Sequence, residues 1–215
     1  MVYINDVYKG LQTDCTGIGK PCIYVEFFGC DVGCNKCQHS QSIECKKRSS
    51  INKIMGRIFK QGIDLKNVVI TGGEPLIQFN ELYPLVYELL NDDYKVAIET
   101  GNCYKLPRDT YRRSFRYLVD CKTPSSGVAK KNVFTNLALL SSTDEVKFSI
   151  QDLSDYEFAL KTLRTYPTCA KVVFYSDNPK IIECIPIWLF QDRLYNIQFI
   201  RSENNGRLVA NTNRT

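Results

Sequence analysis

Short apolar runs rich in β-branched and aromatic residues alternate along this chain with longer stretches whose apolar positions recur every three to four residues. That is the pattern of strands followed by helices. Strands are expected at 22–28, opened by Pro21, and at 68–70, 95–99, 117–120, 145–150, 171–175 and 197–200. The helical period is clearest in Ile51, Ile54, Met55, Ile58 and Phe59, with Ser49 or Ser50 placed to cap its start and Gly62 to close it. Leu82, Leu85, Val86, Leu89 and Leu90 form a second stripe, which calls for Pro84 in the first turn. Ser154-Asp155-Tyr156-Glu157 reads as a capping box for a helix through Leu163, and 181–190 as an apolar helix broken or bent near Pro186. The first twenty residues mix short apolar pieces with turn residues at Asn5-Asp6 and a loop at Thr16-Gly17-Ile18-Gly19. From 201 to 215 the chain is polar and reads as a mobile tail, unless its end folds over the site.

Strands alternating with helices imply an α/β fold with a parallel sheet, and about six or seven strands suit a partial (β/α) TIM-type barrel better than a closed one. In such barrels ligands sit at the C-terminal ends of the strands. Four polar turns fall there: the loop from Cys30 to Cys37, the turn at Gly72-Gly73, Glu99-Thr100, and the stretch from Asp120 to Lys122. Their shared edge, more than any single turn, marks the site.

Composition narrows the class further. With 215 residues, 44% hydrophobic and 24% charged, the chain can bury one good core and is short for two, so a single domain over 1–215 is expected. The net charge of +5 is a mild excess, bunched only at Lys46-Lys47-Arg48 and Arg112-Arg113. A solvated face accounts for it, and no nucleic-acid partner is expected. No apolar run approaches the ~20 residues of a membrane span, and no charged-then-apolar leader opens the chain. Of the ten cysteines, Cys15, Cys22, Cys45, Cys103, Cys121, Cys169 and Cys184 stand singly. They read as reduced core residues in a cytoplasmic protein, with Cys45 and Cys121 nearest the site loops.

The other three cysteines carry the chemistry. Cys30, Cys34 and Cys37 follow a C-x3-C-x2-C spacing, and the backbone can curl around one point because Gly29 and Gly33 tolerate φ > 0. Thiolates select an iron–sulfur cluster or zinc. Zinc would take a fourth ligand, for which His39 or Cys45 is available, whereas a four-iron cluster on three cysteines keeps one iron open. In Thr71-Gly72-Gly73-Glu74-Pro75 a strand ends in a Gly-Gly turn that leaves room for a ligand at the backbone, followed by a carboxylate suited to an ammonium group.

The cysteine loop paired with this turn resembles the radical S-adenosylmethionine superfamily. Within it, Thr71 to Gln78, Val96-Ala97-Ile98-Glu99-Thr100, Asp120-Cys121-Lys122-Thr123-Pro124-Ser125-Ser126-Gly127, Asn136 to Leu140 and Asp144 to Phe148 look like 7-carboxy-7-deazaguanine synthase. The resemblance implies a radical S-adenosylmethionine fold. It implies conversion of 6-carboxy-5,6,7,8-tetrahydropterin to 7-carboxy-7-deazaguanine on the way to queuosine-type bases, with a [4Fe-4S] cluster, S-adenosylmethionine and Mg2+. An electron from a flavodoxin or ferredoxin-type donor would start the reaction, and a homodimer is compatible with it. Cys30, Cys34 and Cys37 would hold the cluster. Gly72, Gly73 and Glu74 would bind the methionyl amino group, and Thr71, Glu99, Asp120, Lys122 and Ser126 would contact the rest of the cofactor or the pterin. Lys122 and Lys20 are the nearest cations for an anionic substrate group. The chain departs from the pattern at Gln12-Thr13-Asp14-Cys15, where the family has Gln-Gly-Glu-Gly, and at Glu26, where it has arginine. Lys36 replaces an aromatic, and Gln38-His39 replaces Asp-Thr, which makes His39 a candidate magnesium ligand. The cysteine loop alone also resembles the activases of glycyl-radical enzymes, and a zinc or iron–sulfur binding module without turnover is a third reading.

Overall fold

In the structure, a computed structural model describing residues 1–35, 37, 48–107 and 114–201, one nine-stranded sheet runs through the chain. Its strands are β1 (Val2–Leu11), β2 (Pro21–Phe27), β3 (Arg48–Ser49), β4 (Asn67–Gly72), β5 (Lys95–Thr100), β6 (Phe115–Cys121), β7 (Glu145–Ser149), β8 (Lys171–Ser176) and β9 (Gln198–Arg201). They lie in the order β3-β1-β2-β4-β5-β6-β7-β8-β9. Every pair from β2 to β9 is parallel, while β1 pairs antiparallel with both β2 and β3. Among the described residues the two ends of the sheet do not pair, so the barrel is open, as the strand pattern implies.

The first segment departs from the sequence reading. Val2, Ile4 and Val7 are buried, and the strand accommodates Asn5-Asp6 by a register shift between Ile4 and Asp6 instead of turning there. The polar pair thus marks a bulge.

Helices α1 (Ile51–Gln61), α2 (Phe79–Asn91), α3 (Leu153–Thr165) and α4 (Pro179–Gln191) pack outside the sheet. Ser50 caps α1 by accepting from the Lys53 amide. The cap of α3 is Asp152, which accepts from the Asp155 amide; Ser154 lies inside the helix, because the carboxylate two residues upstream is the stronger acceptor. Pro84 is the sixth residue of α2, not a first-turn residue, and α4 continues through Pro186. Ile54, Ile58, Leu82, Leu85 and Leu89 bury against the outward residues of the central strands, Ile23, Val25, Val68, Ile70, Val96 and Ile98. Each such side chain contributes roughly 1.5–3 kcal/mol of burial, so this outer layer holds the sheet together. The inner face carries only a small apolar layer of Cys15, Cys22, Tyr24, Val69, Ala97 and Leu118, and above it the interior is polar.

Candidate active site

The rim is built where β2 and β4 end side by side. The Gly73 amide donates to the Phe27 carbonyl at 3.0 Å and the Glu74 amide to the Gly29 carbonyl at 2.9 Å, so the Gly-Gly turn is stitched to the entry of the cysteine loop. This contact explains the glycines. A Cβ on Gly73 would stand 2.0 Å from the Gly29 carbonyl oxygen, and one on Gly72 would stand 2.1 Å from that of Phe27. The space they leave is therefore filled by the chain's own backbone, where the sequence suggested a ligand's approach. Gly33, at φ +75, curls the loop, and Cys30, Cys34 and Cys37 reach one cavity with Gly72, Gly73, Glu74, Thr71, Glu99, Asp120 and Lys122. That cavity opens widely to solvent, and its space including the open mouth is about 710 Å³.

Glu74 is buried at 1% exposure. One carboxylate oxygen accepts from the Leu76 amide at 3.1 Å and the Thr100 hydroxyl at 2.9 Å, the other from the Gly101 amide at 2.8 Å. Burial raises its pKa against the lowering effect of these three donors and of Lys122. The carboxylate clasps the β4 turn to the end of β5, which leaves part of its acceptor capacity for a cationic ligand.

Deeper in the cavity the charges interlock. Lys122 Nζ is 2.7 Å from Asp120, and Lys147, on β7, pairs with Asp14 and stands 3.9 Å from Asp120. Burial pushes Asp120 upward, but the two lysines outweigh it and hold its carboxyl below the usual range. Thr71 donates to Glu99 at 2.5 Å. Burial, reinforced by Asp14 and Asp120, pushes Glu99 up to about 7. The interior thus offers one carboxyl that takes up or releases a proton near neutrality, beside a paired anion and two paired cations.

A family model described as "4Fe-4S single cluster domain" matches residues 15–133. The 7-carboxy-7-deazaguanine synthase of Koribacter versatilis is 34% identical over 169 residues, covering 76% of this chain and 71% of that protein. The synthase of Chlorobaculum tepidum is 30% identical over 200 residues, covering 89% and 87%. The chain belongs to the 7-carboxy-7-deazaguanine synthase family. A crystal structure of QueE from Escherichia coli superposes with a TM-score of 0.72 at 20% identity, covering 94% of this chain and 93% of that one, and shows the same fold. Streptococcus suis SuiB bound to precursor peptide SuiA shares the fold more distantly, with a TM-score of 0.60 at 14% identity over 82% of this chain and 47% of that one. The relatives favour the synthase over the activase and the turnover-free module.

For a deazaguanine synthase family member the donor set fits a cluster. Cys30, Cys34 and Cys37 are free thiols that line one cavity, and three thiolates suit a four-iron cluster with one iron left open.

Other expectations are placed differently. The Ser126 hydroxyl donates to the Thr123 carbonyl at 2.6 Å and is not among the cavity residues, while the Ser126 carbonyl accepts from the Asn35 amide at 2.8 Å. The Pro-Ser-Ser-Gly turn therefore braces the cysteine loop. Lys20 is exposed in the β1–β2 connection, outside the cavity lining. Cys121 is buried and its thiol is pushed up to about 12 by burial, so it is inert. Glu26 is buried on the inner face of β2, beside Thr71 in register. Lys36, His39, Cys45, the basic pairs at 46–47 and 112–113, and the tail at 202–215 lie outside the described residues.

The sequence reading missed Lys147 as a cavity residue, whereas Asp14 and Cys15, which it matched to the family's Gln-Gly-Glu-Gly stretch, line the cavity. The alternation of Glu145, Lys147 and Ser149 along β7 puts Lys147 on the inner face and was the available signal. Asp14 and Cys15 arrive from the connection 12–20, whose course no local pattern reveals. It crosses the interior, where Thr16 binds Glu145 through its amide at 2.7 Å and its hydroxyl at 2.6 Å, and Arg116 joins Glu145 at 3.0 Å to Gln12 at 3.2 Å.

Proposed function

We propose that this protein converts 6-carboxy-5,6,7,8-tetrahydropterin to 7-carboxy-7-deazaguanine, as a radical S-adenosylmethionine carbon–nitrogen lyase. One observation carries the reading: the Gly-Gly-Glu turn is hydrogen-bonded to Phe27 and Gly29, at the entry of the three-cysteine loop, and turn and loop both line the rim of a single cavity. Cys30, Cys34 and Cys37 would hold the [4Fe-4S] cluster, and the turn at Gly72, Gly73 and Glu74 would receive the methionyl end of S-adenosylmethionine beside it. When bound, these two groups supply the one-electron chemistry that starts hydrogen abstraction.

The chain's own residues orient and protect that chemistry. Thr71, Glu99, Asp120 and Lys122 face the cavity from the ends of three adjacent strands, which suits a flat, polar heterocycle with both donors and acceptors. Lys122 and Lys147 are the cavity cations available to a substrate carboxylate, each able to exchange an internal carboxylate partner for it. Glu99 can hold a proton at neutral pH and return it after the ring contracts. A flavodoxin or ferredoxin-type donor, a magnesium ion, a homodimer and a cytoplasmic setting complete the proposal. No helix among the described residues is long and apolar enough to cross a membrane.

The test is anaerobic reconstitution with iron and sulfide, reduction, and incubation with S-adenosylmethionine and the carboxypterin. Mass spectrometry should find 7-carboxy-7-deazaguanine. Release of 5'-deoxyadenosine without that product would keep the radical chemistry and reject the substrate.

A further inference from the structure

The cysteine loop is gripped from outside by a residue that no motif singles out. Lys131 sits at the end of the short turn Ala129–Lys131, just beyond the Pro-Ser-Ser-Gly turn. Its Nζ donates to the Val32 carbonyl at 2.7 Å and to the Asp31 carbonyl at 3.1 Å. Both carbonyls belong to the span between Cys30 and Cys34. Lys131 is exposed and is not among the cavity residues, so these two carbonyls are held by a side chain outside the cavity lining. In a trans peptide unit the N–H points opposite to the C=O. The amides of Val32 and Gly33 therefore point away from Lys131. Gly33 itself sits at φ +75 in the left-handed region, and successive amides in such a curl form an anion-binding concavity of the kind found at iron–sulfur sites. Two more contacts pin the same loop, Tyr104 to the Asp31 carboxylate at 2.5 Å and the Asn35 amide to the Ser126 carbonyl at 2.8 Å.

We infer that Lys131 is a positioning residue for the cluster: it holds the Asp31 and Val32 carbonyls outward and so aims the Val32 and Gly33 amides at the anionic group carried by Cys30, Cys34 and Cys37. The inference rests on the reading of this loop as a cluster site. Amide donors and a nearby cation both favour the more negative, reduced form of a cluster, so Lys131 raises its reduction potential.

The experiment is a redox titration of the reconstituted full-length protein, followed by electron paramagnetic resonance, for wild type, Lys131→Met, Lys131→Gln and Lys131→Arg. With effective dielectric screening of about 20, loss of a unit charge and its hydrogen bonds should shift the reduction equilibrium by about threefold to tenfold, the upper end being about 59 mV for one electron. The Met and Gln variants should both be harder to reduce at unchanged iron content, and the Arg variant should track wild type. The Gln variant decides the matter if the Met variant folds poorly. Midpoints equal to wild type in iron-replete Met and Gln variants overturn the inference alone, whereas a wild-type chain that binds no iron overturns the cluster reading beneath it.

Discussion

At Glu74 a buried carboxylate serves structure and site at once. Replacing it by Gln puts an amide N–H₂ where a donor now points and leaves a buried group unsatisfied. Glu74→Gln should cost about 1.5–3 kcal/mol in denaturant unfolding and abolish S-adenosylmethionine cleavage. Unchanged stability would show that the clasp between the β4 turn and β5 is not formed. Gly73 is the complementary case. In Gly73→Ala the new methyl would overlap the Gly29 carbonyl, so a loss of about 1–3 kcal/mol and poor iron uptake are expected, read by thermal unfolding and iron analysis. Glu99 links the site to pH. Its folded pKa of about 7 lies above the ordinary 4.5, so between those values the folded chain binds more protons than the unfolded one. This contribution is complete below pH 4.5 and is lost as pH rises to about 7. In Glu99→Gln that loss should vanish from the dependence of Tm on pH, and an unaltered slope would count against the raised pKa. The residues legible from sequence were those whose chemistry is local: the three cysteines and the Gly-Gly-Glu run. Lys147 was not, because a lysine inside a barrel is distinguishable from a surface lysine only once its partners Asp14 and Asp120 are in place.

Elements were legible where burial has a period. The parallel strands fell where apolar runs predicted them, and α1 has the expected cap and close. The misses arise from competition between signals. Asn5-Asp6 carries turn chemistry, yet pairing of β1 with two neighbouring strands outweighs it. Pro84 lacks the N–H that would bond to the Asn80 carbonyl, but the buried stripe of Leu82, Leu85, Val86 and Leu89 carries the helix past it. Pro84→Ala should therefore raise stability, by about 1 kcal/mol, and a fall would mean that the proline ring packs better than a helical hydrogen bond.

Across the whole molecule, two hydrogen-bonded systems close an open barrel. At the C-terminal rim, the cysteine loop is tied to the Gly-Gly turn on one side and to the Pro-Ser-Ser-Gly turn on the other. Beneath the cavity, the connection 12–20 spans from the antiparallel hairpin to β6 and β7 through Gln12, Arg116, Glu145 and Thr16. Glu145 is fully buried, so Arg116→Ala would leave its charge without a cation and should cost about 3 kcal/mol, measurable by urea unfolding. The ties of Thr16 to Glu145 and of Gln12 to Arg116 were invisible in the sequence, since they join residues more than 100 positions apart, although the partial barrel was readable from its strands.

The account turns on one iron of a three-cysteine cluster standing open beside the Gly-Gly-Glu turn. Electron–nuclear double resonance of the reduced protein with S-adenosylmethionine labelled at its methionyl amino nitrogen and carboxylate oxygens tests this directly. Hyperfine coupling of both labels to the cluster, lost in Glu74→Gln, is the predicted result. A cluster that forms but shows no coupling to either label would contradict it.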